Sequence, residues 1–211
     1  MQIRRILFGS GIIFFLFLLS SCSPKDTTTD PVMLREDSKS WIPYAGEEQI
    51  TFYHDTNKLV FSGNGRQSYY ENIRYMSDQS GFFTFQQDYY ADMEREDLLF
   101  SSSSSDYYLG YYLEKGKGES GEWDILRVRI EDGDYYSNAI KIVTYQSDSY
   151  DKGEVFSYKE SISLNGNIYK KVYYSTQERR PFELYYTKSQ GIVAFKESAT
   201  EIWTIDSDKL D

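Results

Sequence analysis

Carboxylates are the most abundant side chains of this sequence that could do acid–base chemistry. Asp and Glu number 33, against 23 Lys and Arg, and two clusters stand out: Asp92, Glu94, Glu96 and Asp97, then Glu131, Asp132 and Asp134. Glycoside hydrolysis requires only two carboxylates, about 5–10 Å apart, with different pKa values. A carboxylate-dependent carbohydrate-active enzyme is therefore one hypothesis, although acid clusters arise easily in so acidic a chain.

The second acidic cluster has a simpler interpretation. Glu131-Asp132-Gly133-Asp134 fits a hairpin turn, where Asp and Gly are favoured for backbone reasons. As a calcium site it would supply two ligands of the six or more that the ion requires, and the rest of an EF-hand loop is missing. The sequence therefore assigns no metal ligand, no cofactor and no catalytic residue.

The single His and the single Cys exclude several kinds of site. One Cys permits no intramolecular disulfide and no Cys-rich zinc site, and one His permits no His-pair metal motif. A Ser–His–Asp triad could use only His54, and no Gly-x-Ser-x-Gly nucleophile elbow accompanies it. We therefore interpret His54 as a structural or solvated residue.

Tyrosines are the most unusual feature, because most of the 21 occur as adjacent pairs. Neighbours in a strand point to opposite faces, so each pair should place one ring in the core and one outside. Outward rings could form an aromatic surface for a sugar or a peptide. The alternative is that Tyr simply has high strand propensity. The candidate surface residues are Tyr107, Tyr108, Tyr111, Tyr112, Tyr173 and Tyr185.

Composition excludes two broad classes. Aromatic residues make up 18% of the chain, which is incompatible with disorder. The formal net charge of −10 argues against a nucleic-acid partner, because phosphate binding requires clustered Lys and Arg.

The first 22 residues have the pattern of a secretory signal. Arg4 and Arg5 precede a mostly apolar run over 6–19, which is shorter than the roughly 20 residues of a membrane-spanning helix. The run ends in Leu19-Ser20-Ser21-Cys22, which resembles the bacterial lipobox. The resemblance implies cleavage before Cys22 and acylation of its thiol and new amino group. The alternative is an ordinary signal peptide with Cys22 as an incidental free thiol.

The predicted organisation has three parts: a signal peptide over 1–21, a lipidated Cys22 with a flexible tether over 22–40, and one β-rich domain over 41–211. Residues 1–21 carry two Arg and no acid, so the mature chain has a net charge of −12. The tether is polar and has no helix or strand periodicity. Within it, Asp26-Thr27-Thr28 resembles the O-glycosylation acceptor pattern of Bacteroidota envelope proteins, which makes Thr27 a candidate acceptor.

Alternating apolar and polar residues over 41–206 predict nine or ten strands, with a weak hint of helix over 90–99. Leu126, Val128 and Ile130 alternate with Arg127 and Arg129, and Ile168, Val172 and Tyr174 are expected to share a second apolar face. Turn signals, including Asn165-Gly166 and Gly63-Asn64-Gly65, separate the runs at hairpin spacing. The expected fold is all-β: an antiparallel up-and-down meander forming an open or closed barrel, with a two-sheet sandwich as the alternative.

The carboxyl end resembles that of a known group of proteins. A Tyr-rich run over 183–187, a turn at Gly191, an apolar run over 192–196 and a strand around Trp203 are similar to the closing strands of small Bacteroidota envelope lipoproteins of unassigned function. The segment around Trp41 is similar to the beginning of their domains. The resemblance implies a secreted β-rich domain and supplies no catalytic residues.

Three hypotheses follow for the role of the chain. The first is a lipid-anchored protein of the bacterial cell envelope, expected at the outer membrane in either leaflet, that acts without catalysis as a binding or assembly module for a glycan, a peptide or an envelope protein. Its partners would be the membrane, through Cys22, and that ligand. The second is the carboxylate-dependent enzyme. The third is a purely structural lipoprotein, which predicts outward tyrosines dispersed over the sheet.

Overall fold

The chain is built almost entirely from β-strands. The computed structural model describes residues 27–78, 87–132, 135–149, 151–176, 183–198 and 200–205. Within these ranges no helix is long and apolar enough to cross a membrane. The elements in chain order are β1 (Thr27–Val32), α1 (Glu36–Lys39), β2 (Gln49–His54), β3 (Asn57–Asp78), β4 (Gln87–Ser102), β5 (Tyr107–Lys117), β6 (Glu122–Asp132), β7 (Tyr135–Gln146), β8 (Ser157–Leu164), β9 (Asn167–Thr176), β10 (Glu183–Thr187), β11 (Gly191–Lys196) and β12 (Ile202–Ile205).

Eleven of these strands form one continuous antiparallel path in the order β7-β6-β5-β4-β3-β2-β12-β11-β10-β9-β8. Two local meanders, β2 to β7 and β8 to β12, are joined by the pairing of β12 with β2, in which Thr204 lies opposite Tyr53. The path curls, so that β7 at one edge contacts β9 and β10 near the other. This open barrel confirms the predicted all-β meander. The two-sheet sandwich is wrong, because the described strands belong to one sheet.

The barrel interior is apolar and rich in aromatic rings. Leu126, Val128 and Ile130 on β6 have no exposed surface, whereas Arg127 and Arg129 between them are half-buried, as the alternation predicts. The other large interior side chains come from both meanders, and the fully buried aromatic ones are Phe52, Phe61, Phe100, Tyr111, Tyr186 and Phe195. Burial of such side chains is the main stabilising contribution to a domain of this size.

The weak helix signal over 90–99 is wrong, because these residues lie inside β4. Burial in β4 follows a period of two on each side of Met93 and Glu94, and the buried face changes there. Ala91 and Met93 pack with Val32 in a small outer cluster. Beyond that point Leu98 and Phe100 face the barrel interior.

Residues 27–40 are structured where the sequence predicts a flexible tether. Strand β1 pairs in parallel with residues 89–93 of β4. Strand β5 pairs with residues 95–101 of β4, so β1 and β5 lie end to end along one side of β4. The segment is held by hydrogen bonds from its backbone N–H groups, which its polar composition does not reveal. Leu34 donates its N–H to the Glu94 carboxylate at 2.8 Å, and Arg35 donates its N–H to Asp124 at 3.0 Å. The structured part therefore begins before residue 41.

Two predicted turns have opposite outcomes. Asn165 and Gly166 have φ values of 47° and 82°, the positive pair that a type I′ turn between β8 and β9 requires. Gly63-Asn64-Gly65 is not a turn, because it lies inside the 22-residue strand β3, at an irregularity in its pairing with β4. Between residues 41 and 206 the described ranges contain eleven strands, against the nine or ten expected, and β1 precedes them.

Candidate functional site

Four aromatic side chains gather at the surface where β8 and β9 meet the segment that follows α1. Tyr173 lies at the centre, with ring centroids 5.5 Å from Trp41, 5.1 Å from Phe156 and 5.2 Å from Tyr158. We call these four residues the Tyr173 cluster. Tyr158 is 41% exposed, and the other three are partly exposed. The cluster is therefore an aromatic surface that solvent reaches.

A chain of rings connects the Tyr173 cluster to the barrel interior. Tyr173 contacts Tyr186 at 6.2 Å, and Tyr186 contacts the fully buried Tyr111 at 6.5 Å. The Tyr186 hydroxyl donates to the carbonyl of Trp41, while the Tyr111 hydroxyl accepts the N–H of Ile192 at 2.9 Å. Burial raises the pKa of both buried tyrosines, so they remain protonated. This network fixes the position of Trp41.

A local irregularity of β9 shapes the surface beside the cluster. Lys171 has a φ of 53°, the left-handed conformation that is unfavourable for a residue with a Cβ. Lys170 and Lys171 are both exposed, while Tyr169 and Val172 on either side of this pair are buried.

The expected shared face of Ile168, Val172 and Tyr174 is therefore wrong. Ile168 is 70% exposed and Val172 is fully buried, so these side chains do not share an apolar face. The pairing of β9 with β8 keeps one register from Asn167 to Tyr174, so burial here does not follow from alternation along β9 alone.

A groove of about 590 Å³ lies next to the Tyr173 cluster and is lined by lysines. We call it the lysine groove, and its lining residues are Ser40, Pro43, Lys170, Lys171, Thr187, Lys188 and Ser189. The Lys188 ammonium lies 5.0 Å from the centre of the Trp41 ring, which is a cation–π distance. Trp41 therefore links the groove to the aromatic cluster.

A second cleft, of about 350 Å³, lies between β2 and the turn before β11, and Tyr44 and Glu48 are among its lining residues. Burial alone would raise the pKa of Glu48, but hydrogen bonds from the backbone N–H groups of Ala45 and Gly46, each 2.7 Å long, outweigh it and lower the pKa. The Tyr44 hydroxyl donates to the carbonyl of Gln190. Both polar side chains are thus engaged in holding the local chain.

The four candidate tyrosines on β5 divide between the two faces of the sheet. Tyr111 is fully buried, and Tyr107 is half-buried with its ring 6.0 Å from Phe195. Tyr108 is 46% exposed, and Tyr112 is half-buried under the Arg129 guanidinium at 5.0 Å. One ring in and one ring out is the expected arrangement for these two pairs. The assignment of Tyr111 to a ligand surface is wrong, because no ligand can reach a fully buried ring.

The two candidates on β9 and β10 also differ from each other. Tyr173 is the centre of the aromatic cluster, whereas Tyr185 is 3% exposed and stacks on Tyr174 at 5.9 Å. Tyr185 is therefore not a ligand contact either, and only Tyr173 of the six belongs to the cluster. The sequence interpretation missed Trp41, Phe156 and Tyr158, which come together only through the pairing of β8 with β9 and the packing of the post-α1 segment.

Two other sequence candidates belong to the N-terminal segment. Cys22 lies outside the described residues, so its lipidation stays a prediction. Thr27 is the first residue of β1 and lies opposite Tyr89 in the pairing with β4. Its O-glycosylation also stays a prediction.

In the first acidic cluster Glu94 and Glu96 are buried in ion pairs, whereas Asp92 and Asp97 are partly exposed. Glu94 is 3% exposed and lies 3.0 Å from the Lys39 ammonium, and Glu96 is 5% exposed and paired with Arg66. Asp92, on the surface, accepts from Asn72 at 2.7 Å. Burial raises the pKa of Asp97, although the Tyr69 hydroxyl, which donates to it at 3.1 Å, acts in the opposite direction.

A third buried carboxylate, missed by the sequence analysis, completes this polar layer. Asp124 has no exposed surface and lies 3.2 Å from the Lys115 ammonium, whose side chain is only 2% exposed. In the second acidic cluster, Glu131 lies 3.8 Å from Arg129, and residues 133 and 134 lie outside the described ranges. No group of three or more His, Cys, Asp or Glu side chains in the described ranges could hold a metal ion.

His54 contacts a backbone carbonyl, an aromatic ring and a carboxylate. Its Nδ1 lies 3.2 Å from the carbonyl of Ile202, and its ring centroid is 5.6 Å from that of Trp203. Its Nε2 lies 3.7 Å from the Asp55 carboxylate.

Comparison with known proteins found no match: no protein-family model, no curated protein and no solved structure is similar to this chain. The function therefore has to be inferred from the chain's own residues.

Proposed function

We propose that the chain is a lipid-anchored protein of the bacterial envelope whose barrel binds a glycan without cleaving it. The observation that carries the proposal is the Tyr173 cluster. Three ring pairs within 5.5 Å form a partly exposed aromatic surface beside an open groove. Aromatic faces bury the C–H faces of sugar rings, and a concave neighbour supplies hydrogen-bonding groups.

The anchor rests on the sequence. Leu19-Ser20-Ser21-Cys22 after an apolar run supports acylation of Cys22, and several acyl chains on one residue give stable membrane attachment. The resemblance of the segment around Trp41 and of the closing strands to small Bacteroidota envelope lipoproteins supports a place at the outer membrane.

Binding is favoured over catalysis by the state of the buried acids. A carboxylate-dependent hydrolase needs two acids that face an open cleft. Glu94, Glu96 and Asp124 each lie within ion-pair distance of a cation, and Glu94 and Asp124 also accept backbone N–H groups of the N-terminal segment. These contacts are those of structural ion pairs, so no observation favours the enzyme as a second candidate.

The proposal is tested with two tyrosines of nearly equal exposure. Tyr158 (41% exposed) belongs to the Tyr173 cluster, and Tyr108 (46% exposed) lies on β5 outside it. The mature chain with Cys22→Ser is applied to a glycan array, with Tyr158→Ala and Tyr108→Ala beside it. We expect saturable binding of a glycan. Tyr158→Ala should weaken this binding about tenfold, because one stacking ring is lost, and Tyr108→Ala should leave it unchanged.

Two outcomes would contradict the proposal. Absence of saturable binding to any glycan would remove the function itself. Binding that depends on Tyr108 and not on Tyr158 would move the site to β5.

A further inference from the structure

The lysine groove is a cationic site on an acidic protein. The chain has a formal net charge of −10, yet Lys170, Lys171 and Lys188 line one groove. All three side chains are exposed. Within the described residues none of the three forms an ion pair with a carboxylate, whereas Lys39, Lys115, Lys152 and Lys196 each do. Charges left without a counter-ion in an acidic domain attract an external anion.

Two of these lysines are neighbours in sequence. In a regular strand Lys170 and Lys171 would point to opposite faces, yet both line the groove. Lys171 has a positive φ of 53°, a conformation that is unfavourable for a residue with a Cβ. Backbone strain of this kind is concentrated at functional sites, which supports a ligand at the groove.

The lysine groove and the Tyr173 cluster meet at Trp41. The Lys188 ammonium lies over the Trp41 ring at 5.0 Å. The Tyr158 hydroxyl donates to Glu160 at 2.9 Å, on the strand that pairs with β9. A bound chain of sugars whose rings lie on the cluster would therefore have an acidic group within reach of Lys188.

We propose that the lysine groove binds the carboxylate or sulfate group of an acidic glycan whose sugar rings lie on the Tyr173 cluster. This inference rests on the proposed glycan binding and adds the chemical class of the ligand. The lysines supply charge-assisted hydrogen bonds, and Trp41 brings the stacked ring and the anionic group into register.

The test uses pairs of polymers that differ in charge alone: polygalacturonate with its methyl ester, and dextran sulfate with dextran. Binding of the mature Cys22→Ser chain is measured at about 20 mM and about 500 mM NaCl, since salt screens exposed charges. The double variant Lys170→Gln/Lys188→Gln is compared with Lys58→Gln, an exposed lysine on β3 that is outside the groove. Tyr158→Ala reports on the aromatic surface.

We expect the acidic member of a pair to bind at least about tenfold more tightly at low salt, and the double lysine variant to lose that preference while Lys58→Gln keeps it. Tyr158→Ala should weaken binding of both members. Equal binding of both members, sensitive to Tyr158→Ala only, would overturn the acidic ligand and leave glycan binding intact. Failure of every polymer to bind would overturn both. Equally tight, lysine-dependent binding to vesicles of anionic phospholipid would overturn the glycan in favour of the membrane surface.

Discussion

Asp124, on β6, lies entirely out of solvent and accepts the backbone N–H of Arg35 at 3.0 Å, across 89 residues of sequence. The same carboxylate lies 3.2 Å from the buried Lys115 ammonium. A neighbouring bond, from the N–H of Leu34 to Glu94, repeats the arrangement one residue earlier. The N-terminal segment is thus fastened to the barrel through its backbone, and the buried acids satisfy donors that would otherwise be unpaired.

Asp124→Asn should therefore be strongly destabilising. The substitution keeps the size of the side chain but removes the buried negative charge opposite Lys115, and we expect the free energy of unfolding to fall by about 3 kcal/mol in urea denaturation. Asp92→Asn is the matched control, because its carboxylate accepts from Asn72 at the surface. The control should change stability by less than about 0.5 kcal/mol, and equal effects of the two substitutions would show that the ion pair is not structural.

Gly191→Ala should be more destabilising than Gly166→Ala, although both positions have a positive φ, of 74° and 82°. A Cβ at residue 166 would meet no atom within 4 Å, so only the backbone conformation is penalised, at about 1 kcal/mol. A Cβ at residue 191 would lie 2.5 Å from the Tyr44 ring and 2.7 Å from the Tyr111 hydroxyl, which adds about 2 kcal/mol. Chemical denaturation of the two variants measures the difference, and similar losses would mean that the tyrosines shift without cost.

Glu183→Gln should lose its effect on stability as the pH falls. Burial alone would raise the pKa of Glu183, but Lys196, 2.7 Å away, and the Tyr185 hydroxyl outweigh it and hold the pKa below its usual range. Because the pKa is lower in the folded state than in the unfolded state, the stabilisation is complete above the unfolded value of about 4.5 and is lost as the pH falls through the folded value.

The unfolding free energies of the wild type and Glu183→Gln should therefore differ at pH 7 and converge as the pH falls through the folded pKa of Glu183. Glu119→Gln, a substitution of an exposed acid between β5 and β6, serves as the control. A difference for Glu183→Gln that does not decrease as the pH is lowered below 4.5 would contradict the assigned partners.

Cys22→Ser should release the protein from the membrane. Loss of the thiol removes the site of the thioether-linked lipid, so the protein should move to the soluble fraction and lose labelling by radioactive fatty acid, whereas Ser23→Ala should keep both. Membrane retention and labelling of the Cys22→Ser protein would show that Cys22 is not the anchor.

The sequence predicted correctly those parts of the fold that depend on residues close together in the chain. The alternation in β6 and the Asn165-Gly166 turn depend on neighbours in sequence, and both are as expected. The pairing of β12 with β2, which unites the two meanders, brings Ile205 opposite Phe52 over about 150 residues, and no local signal reports it.

The candidate surface was harder to predict for the same reason. Alternation assumes that burial repeats every second residue, but in β9 Tyr169, Val172 and Ser175 are buried at intervals of three. Trp41 joins the cluster because residues 27–40 are fastened to buried acids, which neither composition nor periodicity indicates. The position of Trp41 beside Tyr173 thus depends on polar contacts between residues that are far apart in sequence.

If Cys22 carries the lipid, as proposed, strand β1 also limits the distance between the barrel and the bilayer. A flexible connection from residue 22 to residue 40 would allow a reach of about 65 Å, but pairing of β1 with β4 fixes the chain from Thr27 onward. With Cys22 in the lipid, four residues lie between it and Thr27, and the five Cα–Cα steps span at most about 18 Å. The barrel would then rest near the headgroups and turn with its anchor, so that long polymers must approach the membrane laterally to meet it.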